Sequence, residues 1–196
     1  SVFQAAGYKG ELLPTPGVAD FQAGKEFGNN GQCNPTYFMT GHLIRFLKGL
    51  EAKGLTKEEI HDVRISAILH DVGKIGVDDK VLKKEAALDN IEWEHMKMHP
   101  DMGWKILANV KSMRQIADGM RFHHERPDGL GYPLKLKGEQ IPLIARIISV
   151  ADTFDAITSN RPYRKGLDYE VAFEEIVRNR GTQFCEKVVD GFVRAF

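Results

Sequence analysis

The run AILHD at residues 67–71 limits what this chain can fold into more than any other stretch. Ala67, Ile68 and Leu69 continue an apolar helix, and His70 and Asp71 then stand side by side at its end, with Lys74 one turn further on. Adjacent polar groups at the end of a buried stripe are costly unless something binds them, so the fold has to bring partners to this point. Candidates recur along the chain. His123, His124 and Glu125 end a second predicted helix, and Asp152 and Asp155 lie inside the apolar run IARIISVADTFDAIT. His95 and His99 stand four residues apart, a spacing that can share a metal, but His95 sits among polar neighbours and reads, like His61, as a solvated residue. Imidazoles and carboxylates without thiolates suit iron, manganese or zinc in a reactive site rather than a structural zinc site.

The rest of the pattern is helical. Residues 1–34 are rich in Gly, Pro and Asn without sustained periodicity and read as a linker or irregular arm, so the folded domain is expected over 35–196. Tyr37, Phe38, Leu43, Ile44, Leu47 and Leu50 share one face of a predicted helix that Gly54 ends. Thr56 with Glu59, and Asp89 with Glu92, have capping-box spacing and open the next helices. Pro100, just beyond His99, predicts a kink or a break between two helices there. Ser112 is expected to cap a helix ending near His124, and Pro142 to take the first position of one running to about Ser159. Asp168 and Glu186 open the last two helices. Strand signals are weak, and the expected class is all-α.

Lys plus Arg and Asp plus Glu number 27 each, so no net basic field would gather a DNA or RNA polymer. The longest apolar stretch, IPLIARIISVADTF, is interrupted by Arg146 and Asp152, so no membrane span is expected. Cys33 and Cys185 have no metal-motif spacing and read as thiols in a reducing, cytoplasmic compartment. The chain begins at Ser1 rather than Met, which suggests part of a longer multidomain protein.

Three segments carry a family resemblance. HDVGK at 70–74, HHERPDGLGYP at 123–133 and ADTFDAITSNRPYR at 151–164 resemble the HD-GYP branch of the HD phosphohydrolase superfamily, in the expected order, over roughly residues 36–196. The resemblance implies an all-α HD-domain helical bundle with a GYP loop. It implies a bacterial metal-dependent phosphodiesterase that opens cyclic di-GMP to linear pGpG, and on to GMP in some members, using a hydroxide shared by two divalent ions, iron or manganese. Position by position, Asp71 would bridge the ions. His42, His70 and Asp152 would complete one shell, and His99, His123 and His124 the other. Lys74, one turn beyond His70 on the same face, is expected to reach a non-bridging phosphate oxygen, and Arg161 and Arg164 match positions that hold substrate phosphates, a task suited to the planar fork of arginine. Asp71 and Lys74 are the expected catalytic residues.

The resemblance also assigns a wall of the site to the loop containing Asp128, Gly129, Gly131, Tyr132 and Pro133, with Asp128 and Glu125 expected either to stabilise it or to orient the ligand imidazoles. The loop is a candidate surface for diguanylate cyclase-type (GGDEF) partner domains. Two positions depart from the family. Phe38 stands where some members place a Glu for a third metal, which favours two metals, and Cys185 stands where relatives often carry Asp. The same chemistry with a preference for 3′3′-cyclic GMP-AMP is the nearest alternative. A general HD nucleotidase would lack the GYP segment. A non-catalytic module that binds the cyclic dinucleotide or docks a partner would be expected to have lost ligands.

Overall fold

A computed structural model describes residues 46–47, 54–84, 86–160 and 165–195. Among these residues the chain is helical and forms no strand, beyond one isolated bridge between Arg180 and Phe184. Helix α1 spans Lys57–Leu69 and leads into a 3-10 turn at Val72–Gly76. The short α2 (Asp79–Leu82) and α3 (Asn90–Met96) precede α4 (His99–Leu107). Then come α5 (Arg114–Arg121), the long α6 (Leu143–Thr158), α7 (Tyr169–Arg178) and α8 (Glu186–Ala195). Of the helix predicted before Gly54, Phe46 and Leu47 are described, and both are helical and buried. The arm at 1–34, with Tyr37, Phe38 and His42, lies outside the described residues.

Local chemistry explains where the helices start. Thr56 and Glu59 form a reciprocal capping box at α1, with Thr56 N donating to Glu59 Oε2 at 2.8 Å and Glu59 N to Thr56 Oγ1 at 3.2 Å. Asp89 and Glu92 do the same at α3, and Lys84 Nζ adds a bond to Glu92 Oε2 at 2.5 Å. The break expected at Pro100 falls earlier, at Lys97–Met98. Pro100 sits in the first turn of α4, where its missing N–H costs nothing. Ser112 is not a cap, because it lies in a 3-10 turn and Met113 precedes α5. Pro142 is the residue before α6 rather than its first, with an extended ψ of 143°.

The core lies around α6. Ala145, Ile147, Ile148, Val150 and Phe154 are all buried, so this helix is apolar on more than one side, as a central helix must be. Phe192 of α8 meets Phe46, Phe154 and Phe173 at ring-centroid distances of 5.5, 5.4 and 5.8 Å. On the opposite side, α1, α5 and α6 converge on small residues. The Ser66 hydroxyl donates to the Ile116 carbonyl, and Gly119 packs directly on Ser66 and Ile144. Helices α4 and α5 are pinned by Arg121, which lies over the Trp104 ring at 4.4 Å and donates to Asp101, while Trp104 Nε1 donates to Asp118.

One crossing sets the position of the site. A Cβ on Gly73 would stand 1.9 Å from the His99 carbonyl oxygen and 2.4 Å from Gly103 N, so the 3-10 turn and α4 meet backbone to backbone. That contact lays residues 70–74 against His99. Gly73→Ala is expected to destabilise the fold by about 3 kcal/mol, the upper part of the overpacking range, because the obstructing atoms are backbone and cannot rotate away. Urea denaturation of the variant beside the parent protein measures it. A loss below about 0.5 kcal/mol would mean that this crossing is looser than described.

Candidate metal centre

His70 caps the C-terminal end of α1, and Asp71 precedes the 3-10 turn. His99 opens α4, His123 and His124 follow α5, and Asp152 lies in the middle of α6. The fold brings all six side chains together. Asp71 is at the centre: its Oδ2 lies 3.3 Å from His70 Nε2, and its Oδ1 lies 3.3 Å from His99 Nε2. His70 Nε2 is also 3.6 Å from Asp152 Oδ1. The His123 ring is 5.1 Å from His70, 5.4 Å from His99 and 3.9 Å from His124. Lys74 turns back from the 3-10 segment, and its Nζ sits 2.6 Å from Asp71 Oδ2.

The histidines share one device. His70, His99 and His123 each place Nδ1 against the carbonyl three residues earlier, those of Ala67, Met96 and Met120, at 2.6, 2.7 and 2.5 Å. A carbonyl only accepts, so each Nδ1 carries the proton and Nε2 is the atom offered to the cluster. His99 Nε2 and His123 Nε2 are buried without a hydrogen-bond partner, and with its proton on Nδ1 the His99 ring has none at Nε2 to donate to the nearby Asp71 carboxylate. Buried lone pairs left unmatched are costly, and a cation is the group that would match them. Among the described residues, two sets of ligand atoms lie close enough to hold one: His99, His123 and His124, and His70, Asp71 and His123. The donor set of imidazole nitrogens and carboxylate oxygens fits a divalent transition metal.

Electrostatics point the same way. Burial pushes the His123 imidazole well below its ordinary range, reinforced by the neighbouring His124 and His70. Burial likewise lowers His124 to about 4. Both rings are therefore neutral near pH 7, as metal ligands must be. At His70 burial also opposes charge, but Asp152 and Asp71 outweigh it and raise the group to about 10. The Asp71 and Asp152 carboxyls are held far below the usual carboxylate range: burial alone would raise them, and pairing with His70 overrides it. Without a metal, positive charge on His70 stands between the two carboxylates.

The loop after His124 closes one side. Tyr132 stacks on the His124 ring, with centroids 4.7 Å apart, and its backbone N–H donates to the His124 carbonyl. Glu125 is buried, and its two oxygens accept from Leu134 N at 2.6 Å and Leu136 N at 2.9 Å. Asp128 pairs with Arg126 and accepts from Leu130 N. Gly129 has φ of +80°, and Gly131 lies so close to the 124–126 backbone that a Cβ would meet Arg126 N at 2.4 Å. Pro133 follows a cis peptide bond. His61 and His95 are exposed and take no part. Arg161 and Arg164 lie outside the described residues.

The family model described as HD domain matches residues 45–188, most of the chain. The chain belongs to the HD domain family. Among curated relatives of this HD domain, a cyclic di-GMP phosphodiesterase response regulator of Xanthomonas campestris is 42% identical over 147 residues, covering 74% of this chain and 39% of the relative. A cyclic di-GMP phosphodiesterase of Thermotoga maritima is 39% identical, covering 74% and 40%. A 3′3′-cGAMP-specific phosphodiesterase of Vibrio cholerae is 37% identical, covering 70% and 27%. The chain thus spans about two fifths or less of the length of these relatives. A solved HDG“Y”P protein of Bdellovibrio bacteriovorus shares the fold at a TM-score of 0.64, with 15% identity, over 97% of this chain and 61% of that one. The HD-GYP assignment made from the motifs holds, as does the all-α class.

Some residues that build the centre were not evident from motifs. Gly73 and Gly103 permit the crossing that carries His99 to Asp71, and their partnership spans thirty residues of chain. The ring contact of Tyr132 with His124 likewise needed coordinates. Glu125 acts on the loop backbone rather than on an imidazole. Glu125→Ala would remove a buried carboxylate and both of its hydrogen bonds to the loop N–H groups, so a loss of about 3 kcal/mol is expected. Hydrogen exchange at the amides of Leu134 and Leu136 checks it: both should accelerate well beyond the rest of the domain. Unchanged protection at those two amides would show that the carboxylate does not hold the loop.

Proposed function

We propose that this HD domain is a metal-dependent phosphodiesterase that hydrolyses cyclic di-GMP to linear pGpG, working in the bacterial cytoplasm as part of a longer signalling protein. The observation that carries the reading is the buried cluster of outward-facing Nε2 atoms around Asp71, in a chain about 40% identical to proteins named cyclic di-GMP phosphodiesterases. His99, His123 and His124 would hold one ion, and His70 and Asp152, with His42, the other, with Asp71 shared. Divalent iron or manganese in this setting supplies Lewis acidity, which lowers the pKa of water and offsets charge on the phosphate.

The protein's own groups would do the positioning. Asp71 and Asp152 provide the negative charge that retains cations, and the carbonyl-anchored histidines keep their orientation through the reaction. The Lys74 side chain is 37% exposed, so its ammonium can turn from Asp71 to a non-bridging phosphate oxygen and offset charge that develops there. Arg161 and Arg164 are proposed to bind phosphate. GGDEF-type domains are the proposed partners of the loop surface. A preference for 3′3′-cyclic GMP-AMP is the second reading, favoured by the similarity to the Vibrio cholerae enzyme named for that substrate.

Protein loaded anaerobically with iron or manganese and given both cyclic dinucleotides should yield linear product by chromatography. Asp71→Ala should lose metal by mass spectrometry and lower turnover at least about 100-fold. The ratio of rates on the two substrates decides the preference. If metal is bound and neither substrate is opened, the catalytic reading fails for these substrates, and a binding or docking module replaces it.

A further inference from the structure

The seven-residue helix α3 does two things at once. Its Met96 carbonyl receives Nδ1–H of His99, which orients that imidazole. One turn earlier the same helix carries Trp93, which is 47% exposed. The indole touches Tyr132 at a centroid distance of 6.4 Å and an interplanar angle of 78°. Tyr132 in turn stacks on His124 at 4.7 Å. A continuous series of rings therefore leads from the histidine cluster outward and ends in the largest aromatic side chain, half of it in water. An edge-to-face contact occupies at most one face of the indole. The exposed part of the indole is therefore two ring contacts away from His124, within the span of a nucleotide whose phosphate is held at the histidines.

From this geometry we infer that Trp93 is a stacking platform for a purine base of the substrate. The inference rests on the cyclic dinucleotide reading given above and assigns this chain a residue that recognises the base rather than the phosphate. Stacking uses the π face, which guanine and adenine share, so Trp93 contributes affinity for the nucleotide without choosing between the two bases. By contrast the other tryptophan, Trp104, is covered by the Arg121 guanidinium and bonded to Asp118, and is in no position to serve.

The test uses metal-loaded enzyme. Trp93→Ala should raise KM about tenfold for both cyclic di-GMP and 3′3′-cyclic GMP-AMP, with kcat within about twofold of the parent. Trp93→Phe should restore most of the loss, which separates stacking from a general fault in folding. In a Trp104→Phe protein the remaining tryptophan reports directly, and cyclic di-GMP should quench its emission. Turnover with an unmoved KM in Trp93→Ala, or a fall in kcat alone, overturns the platform and leaves the phosphodiesterase reading standing. Quenching without turnover in the parent supports the platform and removes the catalytic reading. Absence of both quenching and a KM effect overturns the platform.

Discussion

A hydrogen bond from Nδ1 to the carbonyl three residues back occurs at His70, His99 and His123, and the geometry of the centre depends on it. The bond settles the tautomer of each neutral ring and prevents it from rotating. It also ties the outward nitrogen to the end of a helix, because each accepting carbonyl lies in or beside the last turn of α1, α3 or α5. An imidazole held in this way behaves as a rigid extension of backbone. The cluster is thus assembled by helix placement more than by side-chain choice.

Helix placement in turn follows from a few small residues. Gly73 against His99 and Gly103, and Gly119 against Ser66 and Ile144, allow main chains to approach where any larger side chain would separate them. The two junctions lie on different faces. One brings the 3-10 turn to α4, and the other seats α5 between α1 and α6. The result is that four segments distant in sequence end within one small volume, with Asp152 on the central helix closing it. Apolar packing of α6 against α7 and α8 supplies the mass of the core on the far side.

Several of these features were legible before any coordinates. Thr56–Glu59 and Asp89–Glu92 could be read because a capping box is complete within four residues. His70–Asp71, His123–His124 and Asp152 could be read because charge inside an apolar pattern needs a reason. The interruption before α4 was placed at Pro100, inside the first turn of that helix, because proline is compatible with a first turn as well as with a break, and the pattern around Pro100 does not distinguish them. Ser112 misled for a similar reason: a good capping residue is only useful where the chain turns helical, and here that occurs two residues later. Gly73 entered the sequence reading only as part of HDVGK, and Gly103 carried no reading at all. Their meaning is a contact between segments, and nothing local encodes it. His42, Arg161 and Arg164 lie outside the described residues, so their places rest on the motifs alone.

The GYP loop has an abutment far along the chain. Asp128 N donates to the Thr182 carbonyl at 3.1 Å, in the turn between α7 and α8. That turn is itself fastened to the core, because Gly181 N donates to the carbonyl of Phe184, which is almost fully buried. The wall beside His124 is therefore braced by the C-terminal part of the chain, which contributes none of the clustered histidines or carboxylates. A chain cut before residue 182 would keep every clustered imidazole and carboxylate yet lose its brace. The last two helices thus serve as foundations for a wall that stands at the other end of the molecule's chemistry.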